Sequence, residues 1–227
     1  MNRENDLALN VLATGYARNP DSALLFTGLV RAYVRKKQYG RAVELCEQRL
    51  EKNREEALTW ELLGSTLLLK KDLKGAQNAF EQAIRIQPDW GQPYGNLARV
   101  YLLKGEKDTA IKKLETSLKK NPKNKVAWLT LGSIHEQDNA YEKAALVYAQ
   151  AFEQNPGLWP AANNYAFFTS ELADCKSELQ TAMEYARKSE RLNPDAPVIL
   201  DTIGCIQYKM GDLDGAHDNI AKALELK

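Results

Sequence analysis

Cysteine, histidine and long apolar runs are all scarce in this chain of 227 residues, and each scarcity removes a class of function. Its three cysteines, Cys46, Cys175 and Cys205, form no CxxC pair and lie far apart. That argues against a zinc site and against a dense disulfide framework, and leaves them as reduced residues on helices. The two histidines, His135 and His217, supply neither convergent metal ligands nor an acid, a base and a nucleophile in one place, and there is no phosphate-cradling glycine loop. No catalytic, cofactor-binding or metal-binding residue is assigned, and the chain is expected not to be an enzyme. No stretch approaches the roughly 18 consecutive apolar residues of a membrane span, and Met1 to Pro20 lacks the apolar core of a signal segment. A soluble protein, cytoplasmic or periplasmic, is the expectation. An excess of one charge is missing too. Thirty-one Lys and Arg against thirty Asp and Glu leave a formal charge of +1, so no global field draws the protein onto nucleic acid or an anionic membrane. Any partner has to be recognised locally. The run Lys112, Lys113, Lys119, Lys120, Lys123 and Lys125 reads as a solvated face, because Glu115 interrupts it and aromatic stacking partners are absent.

What the chain has instead is a period. Pro88, Pro122 and Pro156 are spaced by 34 residues, the length of a two-helix repeat. From Ala57 the landmarks are Trp60, Leu63, Gly64, Leu67, Ala76, Phe80, Ala83 and Pro88. From Gly91 they are Tyr94, Leu97, Ala98, Tyr101, Ala110, Leu114, Ser117 and Pro122, and from Lys125 they are Trp128, Leu131, Gly132, His135, Ala144, Tyr148, Ala151 and Pro156. Within each unit apolar residues recur every three or four positions, so each half is an amphipathic helix. Gly105, Asn139 and Gly211 fall between the halves, where a left-handed residue commonly ends a helix. Pro88-Asp89 and Pro194-Asp195 fall between units, where proline stops one helix and the aspartate is placed to cap the next. Gly64 opposite Ala76, and Gly132 opposite Ala144, are expected to let paired helices approach closely, while Trp60 and Trp128 bury area at unit junctions.

This pattern of large, Leu, small, aromatic, Ala, aromatic, Ala and Pro resembles the tetratricopeptide repeat family, over nearly the whole chain. The expected fold is all-α, a right-handed solenoid of antiparallel helical hairpins. Residues 1–22 read as a partial repeat or capping helix, with a helix from Glu4 to Arg18. Full units follow at 23–56, 57–90, 91–124 and 125–158, then 159–196 with a four-residue insertion around Leu172 to Thr181, and 197–227. The runs Asn163 to Ala166 and Leu200 to Gly204 resemble units common in bacterial repeat proteins.

The resemblance implies that stacked hairpins curve, with the first helices lining a concave groove for a protein or peptide. Carrying the family's groove positions onto this chain gives Arg31 and Arg35, Glu61 and Ser65, Gln92, Asn96 and Arg99, then Thr130, Ser133, Glu136 and Gln137, then Asn163, Asn164, Phe167 and Glu171, and finally Asp201, Thr202, Tyr208 and Lys209. Arg31, Glu61, Asn96, Arg99, Asn163, Asn164, Phe167, Asp201 and Tyr208 are the candidate partner contacts, the amides and arginines for backbone hydrogen bonds and the aromatics as anchors for apolar side chains. The family's clamp for a C-terminal carboxylate is not expected, since Glu61, Ser65, Val126 and Thr130 flank Asn96 where that clamp needs basic residues. A protein-interaction scaffold is the leading reading. Self-association through the end helices, Glu4 to Arg18 and Ala216 to Lys227, is one alternative, and an interaction segment of a larger bacterial envelope protein for polysaccharide export or pilus assembly is another.

Overall fold

A computed structural model describes residues 2–226 of the protein, with side chains from Leu7 onward. Met1 and Lys227, the outer bounds of the first and last expected units, lie outside the described residues. Among the described residues there are thirteen helices and no strand. The chain divides into two compact units, one up to Lys113 and one from Leu114.

The first unit holds α1 (Asn2–Arg18), α2 (Ala23–Arg35), α3 (Tyr39–Lys52), α4 (Ala57–Leu69), α5 (Leu73–Ile86), α6 (Gly91–Leu103) and the start of α7 (Lys107–Lys120). The second holds the rest of α7, then α8 (Lys125–Gln137), α9 (Tyr141–Gln154), α10 (Trp159–Leu172), α11 (Lys176–Leu192), α12 (Pro197–Met210) and α13 (Leu213–Glu225). Within each unit successive helices pair as hairpins, and first helices also touch one another: α2 meets α4, α4 meets α6, and α10 meets α12.

All the hairpin turns but one are closed by a left-handed residue. Gly105 at φ 77°, Asn139 at φ 55° and Gly211 at φ 85° occupy it as expected. Lys37 at φ 58° and Lys71 at φ 67° occupy the equivalent place in the two earlier hairpins. There the bond from a later amide back over five residues, as in Asp72 N–H to the Leu67 carbonyl at 2.9 Å, stabilises the turn despite the unfavourable residue type. The fifth hairpin departs, because Ala173 is extended at φ −68° and ψ 121°. Its four extra residues lengthen α10 to 14 residues and α11 to 17, against 13 and 14 in α4 and α5.

The capping aspartates are not those expected. Asp89 and Asp195 precede helices whose N-caps are Trp90 and Ala196, and Asp195 itself is left-handed at φ 59°. The turn after each proline is one residue too long for the aspartate to reach the cap. The side chains that cap include Asp72 and Asp212 inside hairpins, accepting from the amides of Gly75 and Gly215, together with Ser22 and Asn124 between them.

Packing follows the small-residue positions, with a different partner from the one expected. A Cβ added at Gly64 would lie 2.7 Å from the Phe80 ring, and one at Gly132 would lie 2.5 Å from the Tyr148 ring. The absent side chains therefore seat an aromatic from the second helix, with Ala76 and Ala144 fully buried alongside. Trp60 and Trp128 are only partly buried. Their indole N–H groups donate to the Arg54 and Pro122 carbonyls at 2.8 and 2.7 Å, pinning the preceding inter-hairpin turn. Cys46 is fully buried, and burial pushes its thiol up to about 12, so it is inert at neutral pH. Cys175 is exposed and caps the start of α11 instead of lying within a helix.

Candidate functional site

In the first unit α2, α4 and α6 carry Arg31, Glu61, and Asn96 with Arg99; Glu61 meets Asn96 and feels the Arg31 charge. Arg31 and Arg99 are exposed, whereas Glu61 and Asn96 are half-buried. The Ser65 hydroxyl donates to Glu61 Oε1 at 2.7 Å, and Asn96 Nδ2 donates to the same oxygen at 3.0 Å. Burial pushes the Glu61 carboxyl above the usual carboxylate range, and the Ser65 hydroxyl, the Arg31 charge and the Asn96 amide hold back part of that rise. Beside this cluster opens a cavity of about 560 Å³. Leu12, Val30, Val34, Leu62 and Leu69 give it apolar walls, and Arg31, Arg35, Glu61 and Ser65 give it a polar edge. Apolar walls with a few placed polar groups are the usual make-up of a binding cleft.

In the second unit the expected residues separate. Phe167 is 37% exposed, Tyr208 is 66% exposed, and Asp201 is exposed on α12. Asn164 is half-buried beside the Tyr148 hydroxyl, whose pKa burial pushes up to about 12. Asn163 is a correction: it is 3% exposed and its Oδ1 has no hydrogen-bond partner in the protein, so it is not on the open face. Thr202 is likewise buried, its hydroxyl donating to the Val198 carbonyl at 2.9 Å. Lys209 ties α12 to α10, donating to the Ser170 carbonyl at 2.8 Å and to Glu171 Oε1 at 2.7 Å. A smaller pocket of about 140 Å³ is lined by Glu136, Tyr141, Phe167, Phe168 and Glu171.

Sequence reasoning missed the apolar walls of the larger cavity and the contribution of Tyr141. The family's groove positions lie on first helices, whereas Tyr141 opens the second helix α9; an aromatic at the start of a second helix was the available signal. Among the described residues no group of His, Cys, Asp or Glu could hold a metal ion, and no helix is long and apolar enough to cross a membrane.

The fold defines a helical-repeat protein built from antiparallel hairpins. Family models described as tetratricopeptide repeat match residues 25–58, 57–89 and 96–158. The chain belongs to the tetratricopeptide repeat family, whose members generally mediate protein–protein interactions and are typically scaffolds without catalytic activity. It is 26% identical over 200 residues to the BBSome complex member BBS4 of Bos taurus, covering 86% of this chain and 37% of that protein. It is 28% identical over 153 residues to the TPR repeat-containing protein PA4667 of Pseudomonas aeruginosa, covering 66% of this chain and 25% of that protein. The chain thus spans about a third or less of the length of these two relatives. Among solved structures, MamA matches with a TM-score of 0.57 at 21% identity, over 72% of this chain and 94% of that one. Pseudomonas aeruginosa PilF matches with a TM-score of 0.61 at 19% identity, over 75% of this chain and 76% of that one. At these identities the likeness is one of fold, the all-α tetratricopeptide solenoid.

Proposed function

We propose that this chain is a non-catalytic scaffold that docks an extended or helical protein segment on the face of its first helices. In this reading the docking units are the hairpins at 23–56, 57–90, 91–124, 125–158, 159–196 and 197–227, each contributing its first helix. The observation that carries the reading is the open cavity on α2 and α4, whose apolar walls meet an edge of exposed arginines. Its volume of about 560 Å³ lies inside the range of roughly 300–1,000 Å³ common for binding clefts. Arg31, Arg35 and Arg99 supply donors for backbone carbonyls or acidic side chains, and Leu69, 49% exposed, offers an apolar contact. In the second unit Phe167, Asp201 and Tyr208 serve the same purpose. Asn163 is left out because it is buried.

The test is partner capture with wild-type protein and with an Arg31→Glu, Leu69→Glu variant, both substitutions lying at solvent-accessible positions that leave the core intact. The variant should stay folded and lose partners that wild type retains, with a small fall in melting temperature at neutral pH because a negative charge replaces the Arg31 charge that favours the Glu61 carboxylate. Identical partner sets from two equally folded proteins would remove the face on α2 and α4 from consideration.

Self-association is a second reading with its own support. Leu7 and Val11 on α1 are 67% and 63% exposed, and Leu224 on α13 is 63% exposed where its repeat equivalents Ile84 and Phe152 are partly covered. Light scattering across a dilution series separates the two, since a simple segment receptor keeps a constant mass.

A further inference from the structure

Deepening the docking reading, and resting on it, we propose that the small pocket bounded by α8, α9 and α10 is a socket for an arginine side chain of the docked segment. Its five lining residues divide into two chemistries. Tyr141, Phe167 and Phe168 form aromatic walls, and Glu136 and Glu171 supply exposed carboxylates. Phe168 is the floor, 3% exposed, with Tyr141 stacked against it at 5.4 Å and Phe167 edge-on at 5.1 Å. Tyr141 and Phe167 each remain 37% exposed, so ring surface is open to solvent in the unbound protein.

A volume of about 140 Å³ holds the end of one side chain and is well short of the roughly 300 Å³ at which clefts for whole small molecules begin. The wall chemistry then selects which side chain. Aromatic faces attract cations as well as apolar groups. An aliphatic occupant would strip water from Glu136 and Glu171 without replacing their hydrogen bonds, which is unfavourable. A cation satisfies both kinds of wall.

Two further features favour a cation. Glu171 already accepts the Lys209 ammonium from α12 through Oε1 at 2.7 Å, and the Ser170 carbonyl accepts from that ammonium at 2.8 Å, but Lys209 itself is not among the residues that line the pocket. One lysine against two glutamates leaves the rim net negative, and exposed Asp201 on α12 adds to the negative charge of this unit's face. Between the two natural cations, arginine fits the composition better. Its planar guanidinium lies flat on a ring while its N–H groups fork toward carboxylates, which a compact ammonium cannot do at once.

The experiment is an NMR titration of the whole chain with N-acetyl-arginine amide, with the neutral isostere N-acetyl-citrulline amide and with N-acetyl-leucine amide. The arginine compound should give saturable shifts of the Tyr141, Phe167 and Phe168 ring protons, with the other two compounds about fivefold weaker or worse. Glu136→Gln combined with Phe167→Leu should weaken the arginine response by about the same factor, while resonances of the first unit stay in place and report an intact fold. Equal responses to citrulline or leucine, or no saturable response to arginine, overturn the socket. Either failure leaves the docking face on α2 and α4 untouched, because that face is tested separately through Arg31 and Leu69.

Discussion

Asn96 on α6 donates its side-chain amide to Glu61 Oε1 on α4 at 3.0 Å, so two residues marked by sequence as separate partner contacts are already partners of each other. Together with Ser65 they bind adjacent first helices into one wall. Removing the amide by Asn96→Ala should lower stability by about 0.5–1.5 kcal/mol. Urea unfolding measures it. Loss of partner binding in that variant would therefore mix a docking effect with a structural one, which is why Arg31 and Leu69 are the better probes of docking.

Glu61 also sets a pH signature. Its folded-state pKa is raised above the reference 4.5, chiefly by burial, so its ionised form is penalised in the folded protein. That penalty is absent well below pH 4.5, grows as pH rises through the folded-state pKa, and persists at neutral pH. Glu61→Gln keeps an acceptor for Ser65 and Asn96 and removes the charge. It should melt no lower than wild type at pH 7, with the difference closing on acidification below about 4.5. A clear loss of melting temperature at neutral pH would show that the Arg31 charge outweighs the burial penalty.

Arg49 and Glu56 behave in the opposite sense. Arg49 on α3 grips the Glu56 carboxylate through Nε at 2.6 Å and a second nitrogen at 2.7 Å, donates to the Pro20 carbonyl at 2.9 Å, and lies 4.6 Å from the Phe26 ring centre. The Arg49 hydrogen bond holds Glu56 below the usual 4.5, so this stability is present above about pH 4.5 and is lost as pH falls through the lowered value. Partial exposure of both groups screens the pair. Arg49→Met should cost about 1–3 kcal/mol at neutral pH, and the deficit should shrink in acid, as followed by thermal melts at several pH values.

Gly132 is expected to reject any side chain. A Cβ would lie 2.5 Å from the Tyr148 ring, which is 1% exposed and stacked at 6.0 Å on Phe168, so the ring has nowhere to move. Gly132→Ala should destabilise by about 1–3 kcal/mol. Gly40→Ala is the control, with nothing within 4 Å of the added carbon. Equal unfolding midpoints for the two variants would contradict this packing.

The hairpin turns yield a paired prediction. Gly211 has φ 85° and open space where a Cβ would stand, so Gly211→Ala costs only backbone strain, about 1–2 kcal/mol. Lys71 has φ 67° at the equivalent turn, so Lys71→Gly should raise stability, by less than that amount because the unfolded chain also gains freedom. Differential scanning calorimetry of both variants reads the two signs.

The turn residues illustrate how far the sequence could be read. Gly105, Asn139 and Gly211 announce their turns through residue type, whereas Lys37 and Lys71 adopt the same backbone with no such signal. There, two helices that pack favourably on each other impose the conformation, and the strain stays local. The capping aspartates escape a sequence reading for a related reason. A cap depends on a side chain reaching a particular amide, and one residue of turn length separates Asp89 and Asp195 from that reach.

Helix positions and the family were available from periodicity, because apolar residues must recur every three or four positions for a helix to bury one side, and that requirement is written along the chain. Which polar residues of a first helix meet solvent was not. Asn163 and Asn164 are neighbours with the same side chain, yet the first is buried and the second half-exposed, since the neighbouring helices cover one direction around α10 more fully than the other. The pairing of Asn96 with Glu61 and the joining of Tyr141 to Phe167 likewise arise between different helices, where the spacing within any one helix carries no information about the contact.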